Sequence, residues 1–172
     1  VNYNGGAMLL DCVRSVLDQG VPPAQVIVVD NGSQDDSIAA LQAARPAVQI
    51  QQNTCNAGFA RAVNQGLRLL RSEFALLLNN DALLLPGALD AFATVFDQHP
   101  ETAIAGGRLR YEDGRIQNAV APFPTLGAEI LPKALLKWLN PQRYSGKQDY
   151  PQALPVDSVI GAHPLPRPLD AV

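Results

Sequence analysis

Apolar residues along the first hundred positions follow two alternating rhythms. Between Met8 and Gln19 they fall at Leu9, Cys12, Val13, Val16 and Leu17, the spacing of a helix with one buried face, and Gly20, Pro22 and Pro23 stop it. Val26 to Val29 is a continuous apolar run of strand length, three of its four residues valine, as expected of a strand covered on both faces. Asp35 to Arg45 returns to helical spacing with Ile38, Leu41 and Ala44 on one face, and Pro46 ends it. Val48 to Gln52 reads as a short strand. A turn at Asn56, Ala57 and Gly58 leads into a third helix, Phe59 to Leu70, with apolar Phe59, Ala62, Val63 and Leu67. Phe74 to Leu78 reads as a buried strand, and Pro86 opens a helix that reaches His99. Strand, turn and helix repeated in this way predict an α/β fold, a mainly parallel sheet with helices on both faces.

From Thr102 the rhythm changes. A strand is expected through Ala103 to Arg110, followed by a hairpin turn at Glu112, Asp113 and Gly114. Nine of the 14 prolines lie between Pro122 and Pro168, which predicts an irregular C-terminal third with one helix, Leu131 to Leu139. The expected division is an α/β core over residues 1–120 and an irregular extension over residues 121–172.

Composition narrows the picture. A chain of 172 residues is long enough for one sizeable core and too short for two ordinary domains. A net charge of −3, with no cluster of Lys or Arg, excludes nucleic acid as a partner. Cys12 and Cys55 lie far apart without metal-site spacing, so both read as reduced thiols, Cys12 packed on a helix. No run approaches the roughly 18 continuous apolar residues of a membrane span. Lys133 and Lys137, flanking apolar residues and Trp138, allow peripheral membrane association as the alternative to a helix that caps the sheet. The opening VNYNGG, without an initiator methionine, reads as the loop after a strand that begins upstream.

Three loops that follow strands, Asn2 to Gly6, Asp30 to Ser33 and Asn79 to Asp81, are expected to meet at the carboxyl edge of the sheet, where open α/β sheets bind ligands. In VIVVDNGSQDDS a strand ends on Asp30 and enters a turn at Asn31 and Gly32. Ser33 stands three residues before Asp36, the spacing of a capping box with Asp in place of Glu or Gln. Asp30 reads either as an acceptor for the protons of a nucleobase or as a helix-entry aspartate. Asp81 has only Asn79 and Asn80 beside it, too few ligands for a cage built by protein alone. Magnesium, however, commonly takes one or two protein carboxylates and completes its shell with substrate phosphates and water. The segment NAGFARAVNQG is neither a GxGxxG fingerprint nor a GxxxxGK[ST] loop. Arg61 can reach a phosphate or pair with Asp30, Asn64 reads as a polar helix face, and His99 and His163 carry no expected catalytic role.

Taken together, VNYNGG, VIVVDNGSQDDS, NAGFARAVNQG and LLLNND, in this order and over Val1 to Arg115, resemble family 2 inverting glycosyltransferases, and within them the bacterial rhamnosyltransferase-like branch. The resemblance implies a GT-A fold, a dTDP- or UDP-sugar donor, a divalent cation (Mg²⁺ or Mn²⁺) and a glycan or lipid-linked acceptor. It also implies work in cell-surface polysaccharide synthesis, on the cytoplasmic side of the membrane. By position, Tyr3 and Asn4 would line the base pocket and Asp30 would bond the base. Asn80 would lie near the ribose and Asp81 would bind the metal, while Arg61 falls within the family's nucleotide-sugar-binding segment. The family's general base follows a pattern like V(D/E)WVxGAxxLxRR. VDSVIGAHPLPRPLDAV from Val156 matches it at Val156, Asp157, Gly161 and Ala162, whereas Pro164, Pro166 and Pro168 interrupt the expected strand and helix entry. Neither Asp157 nor Asp170 stands where that base is expected, so the chain reads as the donor-binding half of a transferase, weak or inactive in transfer alone. The alternative is a nucleotide-sugar-binding module without catalysis. A nucleotidylyltransferase would need a basic residue in its glycine loop, and NYNGGAM has none.

Overall fold

The computed structural model describes residues 1–117, 120–121, 138, 153, 155–156, 158–159 and 164–165. In chain order they form α1 (Gly6–Leu17), a 3₁₀ turn (Pro23–Gln25), β1 (Ile27–Asp30), α2 (Ser37–Ala44), β2 (Gln49–Gln52), α3 (Phe59–Leu69), β3 (Ala75–Leu76) and α4 (Ala88–Gln98). Five short strands follow: β4 (Leu109–Arg110), β5 (Ile116–Gln117), β6 (Val120–Ala121), β7 (Ser158–Val159) and β8 (Pro164–Leu165). Two compact units divide the chain, Val1–Ile104 with Pro164–Val172, and Ala105–His163.

In the first unit β1 pairs with β2 in parallel, Ile27 opposite Gln49 through Asp30 opposite Gln52. Asn2 forms a parallel bridge to Asp30 on the other edge of β1. Alternation along β1 sends successive valines to opposite faces. Val28 joins Leu9 and Val13 of α1, Ile38 and Leu41 of α2, and Val48 in one buried cluster. On the opposite face α3 packs on β1 through Ala62, which is fully buried. Helices therefore cover both faces, as the apolar run predicts.

Three expectations are corrected. The strand over Phe74 to Leu78 is laddered only at Ala75–Leu76, and its partner is β8, antiparallel, with Leu76 opposite Pro164. Pro164 opens its strand, where a missing N–H removes no essential ladder bond, so this proline does not interrupt pairing. The strand over Ala103 to Arg110 narrows to Leu109–Arg110, because Gly106 and Gly107 supply no side chains to pack. Phe59 is not part of a buried helix face: it is 61% exposed.

The second unit contains the expected hairpin, with β4 antiparallel to β5 around Glu112 to Gly114, and an antiparallel pair of β6 with β7. The helix expected over Leu131 to Leu139 lies outside the described residues except for Trp138, which is helical and exposed. Asp157, His163, Pro166, Pro168 and Asp170 also lie outside them. No helix among the described residues is long and apolar enough to cross a membrane.

Candidate functional site

The carboxyl ends of the Asn2 position, β1 and β2 point the same way because the three run parallel. Their loops therefore converge, and the loop after β3 is tied to them through Asn80 and to α1 through Asn79. Asn80 donates from Nδ2 to Asn2 Oδ1 at 2.9 Å, and the Cys12 thiol donates to the Asn79 carbonyl at 3.2 Å. Between these loops lies a cavity of about 300 Å³ lined by Tyr3, Asn31, Asn56, Phe59, Asn80 and Asp81, together with Val1 and Asn79. Asp81 is its one carboxylate. A second cavity of about 280 Å³, among Val13, Val29, Ala62, Leu67 and Leu76, has no carboxylate in its lining.

The loop after β1 is shaped by Gly32, at φ 79°, a left-handed conformation that other L residues resist. A Cβ there would lie 3.0 Å from the Cα of Cys55, so the absence of a side chain lets this loop lie against the loop after β2. The two are then sewn together by amides. Asn31 Oδ1 accepts from Asn53 Nδ2 at 3.0 Å, and Asn53 exchanges a reciprocal pair with Gln65 of α3, at 2.8 and 3.0 Å. The wall carrying Asn31 and Asn56 is thus braced from behind by α3.

The capping box expected at Ser33 and Asp36 does not form. Asp36 makes no side-chain cap, and Ser33 instead turns back, donating from Oγ to Asp30 Oδ1 and accepting from the Asn4 backbone N–H at 2.9 Å. Asp35 does the capping. Its Oδ1 accepts from the Ser37 N–H at 3.2 Å and its Oδ2 from the Gly6 N–H at 2.8 Å, so one carboxylate serves the starts of both α2 and α1. The Ser37 hydroxyl, first, and the backbone donors hold the Asp35 carboxyl below its usual range.

Of the residues named from sequence, Tyr3, Asn80 and Asp81 meet in the cavity, while Asn4, Asp30 and Arg61 stand outside its lining. Asn4 latches the loop, accepting from the Gln34 N–H at 2.8 Å. Asp30 is 2% exposed, and its carboxylate accepts from Asn2 Nδ2 at 2.9 Å, from Ser33 Oγ and from the Ser33 N–H at 3.1 Å. Arg61 is exposed on α3 and, among the described residues, forms no ion pair with Asp30; that alternative fails because Asp30 is buried and already engaged. Sequence reading passed over Asn2, which is fully buried, and the cavity residues Asn31, Asn56 and Phe59. A large aromatic directly after a glycine turn was the available signal for Phe59.

The cavity suits a hard divalent cation with few protein ligands. Asp81 is exposed and, among the described residues, no hydrogen bond or ion pair engages its carboxylate. The neighbouring donors are amide oxygens, and no group of three or more His, Cys, Asp or Glu stands close enough to cage a metal among the described residues. Such a site fits an ion that takes much of its shell from phosphate and water.

Cys12 sits behind this loop. Burial, first, pushes its thiol up to about 11 from 9.0, with the Val1 ammonium opposing the rise and the negative charge of Asp81 adding to it. A raised value means that the stability held by the neutral thiol is fully present below pH 9 and is lost as pH rises toward 11. The urea midpoint at pH 10.5 is expected to fall below that at pH 8 by the equivalent of about 2 kcal/mol, a loss that Cys12→Ala should abolish. At pH 8 a thiol reagent is expected to label only exposed Cys55 in the folded chain and both cysteines in urea.

Known proteins resemble this chain in sequence and in fold. An N-acetylglucosaminyl-diphospho-decaprenol L-rhamnosyltransferase of Mycobacterium tuberculosis is 25% identical over 137 residues, 73% of this chain and 45% of the relative. The fold is similar to Staphylococcus aureus TarS 1-349, with TM-score 0.58 and 24% identity over 73% of this chain and 40% of that one. It is also similar to the mannosyltransferase PcManGT of Pyrobaculum calidifontis, solved with GDP-Man and Mn²⁺, with TM-score 0.52 and 23% identity over 64% of this chain and 34% of that one. These neighbours share the GT-A architecture, and the mixed α/β core here is of that kind. The chain spans 36% to 45% of the length of the first curated relatives it matches. Residues 1–158 match the family described as Glycosyl transferase family 2, over far more than half the chain, and the chain belongs to that family.

Proposed function

We propose that this chain binds the donor of a glycosyl transfer, a UDP- or dTDP-sugar held with Mg²⁺ or Mn²⁺, whose sugar passes with inversion to a hydroxyl of a glycan or lipid-linked acceptor. The observation that carries this reading is the convergence of Tyr3, Asn80 and Asp81 on one cavity at the carboxyl edge of the parallel strands. Tyr3 and Phe59, both more than half exposed, offer aromatic walls on which a base stacks for about 1–3 kcal/mol. Asp30 would act on the base from behind the wall, through the loop that its buried carboxylate holds together with Asn2 and Ser33. Asn4 holds the base-side loop, Asn80 lies toward the ribose, and Arg61 reaches for the diphosphate.

Asp81 would hold the cation together with the donor's phosphates. Bound there, a divalent ion supplies Lewis-acid stabilisation to the departing diphosphate. In the transfer the acceptor oxygen forms a bond to the anomeric carbon as the bond to the nucleoside diphosphate breaks, and the hydroxyl proton passes to a general base. The Mn²⁺ complex of PcManGT supports the metal, and the decaprenol-linked name of the rhamnosyltransferase supports a lipid-linked acceptor. That acceptor in turn supports cell-surface polysaccharide synthesis at the cytoplasmic face of a membrane.

Titration calorimetry with UDP, dTDP and GDP, in Mn²⁺ and in EDTA, tests the reading. One of UDP or dTDP is expected to bind, more tightly with the metal. Failure of both UDP and dTDP to bind in Mn²⁺ would overturn it, whether or not GDP binds.

A further inference from the structure

The most deeply buried polar side chain of the first unit lies in neither the base wall nor the metal loop, yet it touches both. Asn2 is fully buried, and its main chain is locked to β1 by two hydrogen bonds, its N–H to the Val29 carbonyl and its carbonyl from the Asn31 N–H, each 2.8 Å. Its amide nitrogen faces Asp30 Oδ1 at 2.9 Å, Ser37 Oγ at 3.0 Å and Ser33 Oγ at 3.1 Å. An ionised carboxylate only accepts, so Asn2 must turn its NH₂ toward Asp30 and its oxygen the other way. That oxygen receives the Asn80 NH₂. Gly5 marks how tight the junction is, because a Cβ there would overlap both Asn2 Oδ1 and Asn80 Nδ2. Its φ of −78° is open to any residue, so the requirement is one of space and not of backbone conformation.

We propose that Asn2 is a positioning residue that ties the metal-side loop, Asn79 to Asp81, to the buried Asp30–Ser33–Ser37 cluster, so that Asp81 is held at a fixed place relative to the base-side wall. The proposal rests on the donor-binding reading above. Asn2 touches no substrate and acts through Asn80.

Two substitutions break the tie independently. Asn2→Ala removes it, and Gly5→Ala wedges it open while both asparagines stay. In each, the backbone amide NMR resonances of residues 79–82 are expected to move. The gain in UDP or dTDP affinity on adding Mn²⁺ should fall about tenfold, and affinity in EDTA should fall by less than that. A merely structural role would lower the melting temperature and reduce both affinities alike, or neither, at a temperature where the variant is folded. Folded variants with unmoved 79–82 amides, or with equal losses in Mn²⁺ and EDTA, overturn the proposal. If neither variant folds, Asn80→Ala, which cuts the tie at a half-buried residue, decides it: retention of the full Mn²⁺ gain overturns the proposal. If the parent gains nothing from Mn²⁺, the donor-binding reading fails, while the amide shifts still report whether Asn2 holds the loop.

Discussion

Replacing Asp81 by alanine is expected to lower Mn²⁺-dependent binding of the nucleoside diphosphate at least about 100-fold, equivalent to about 2.7 kcal/mol. The size follows from the composition of the cavity. Asp81 is its one carboxylate, and the surrounding asparagines contribute neutral oxygens that do not replace a full negative charge opposite a divalent ion. Calorimetry in Mn²⁺ and in EDTA reads the effect directly, and the affinity in EDTA should change little. Because Asp81 is exposed, the urea midpoint should stay within about 0.5 kcal/mol of the parent. A variant that keeps the full Mn²⁺ gain would remove the metal from Asp81. Asp81→Asn is expected to behave as Asp81→Ala does, since it keeps the shape and loses the charge.

Leu41→Ala should act in the opposite way, on stability and not on the site. Leu41 has no exposed surface and packs in the cluster of Leu9, Val13, Val28, Ile38 and Val48, where α1 and α2 meet β1. Truncation removes three carbons and leaves a cavity that close-packed neighbours fill only partly, for a cost of about 2–5 kcal/mol. Against a domain stability of about 5–15 kcal/mol this is a large fraction, and the melting temperature should drop by roughly 6–15 °C. Denaturant titration and calorimetry measure it. Nucleotide affinity of the folded fraction at low temperature should remain near that of the parent, because neither Leu41 nor any other residue of α2 lines the cavity. A loss below about 1 kcal/mol would mean that α2 repacks freely against α1.

The contrast between these substitutions separates two kinds of polar group in the same small region. Asp81 is exposed and unengaged among the described residues, as a residue awaiting a charged partner is expected to be. Asp30, 28 residues along the chain from Asn2 and bonded to it, is already satisfied and serves first to shape the loop on which Ser33 and Asn4 depend. Its two oxygens are unequally occupied: Oδ1 accepts from two side chains and Oδ2 from one backbone N–H.

Local periodicity determined a good deal. The order of strands and helices through α4, the parallel pairing of β1 with β2, the helices on both faces, the hairpin at Gly114 and the meeting of Tyr3, Asn80 and Asp81 at the carboxyl edge all follow from spacing and turn chemistry within about 12 residues of chain. Tertiary structure alone decided where individual side chains go. Whether Ser33 caps a helix or turns back to Asp30 depends on Asn2 and Asn4 arriving from 29 or more residues away. Whether Phe59 is core or wall depends on what covers the start of α3, and whether Asn2 is a turn residue or a hub depends on Asn80, 78 positions distant. The physical reason is that a helix or strand is specified by neighbours along the chain. The choice of partner for a hydrogen-bonding side chain is specified by what the folded core brings within about 3 Å, and no local pattern records it.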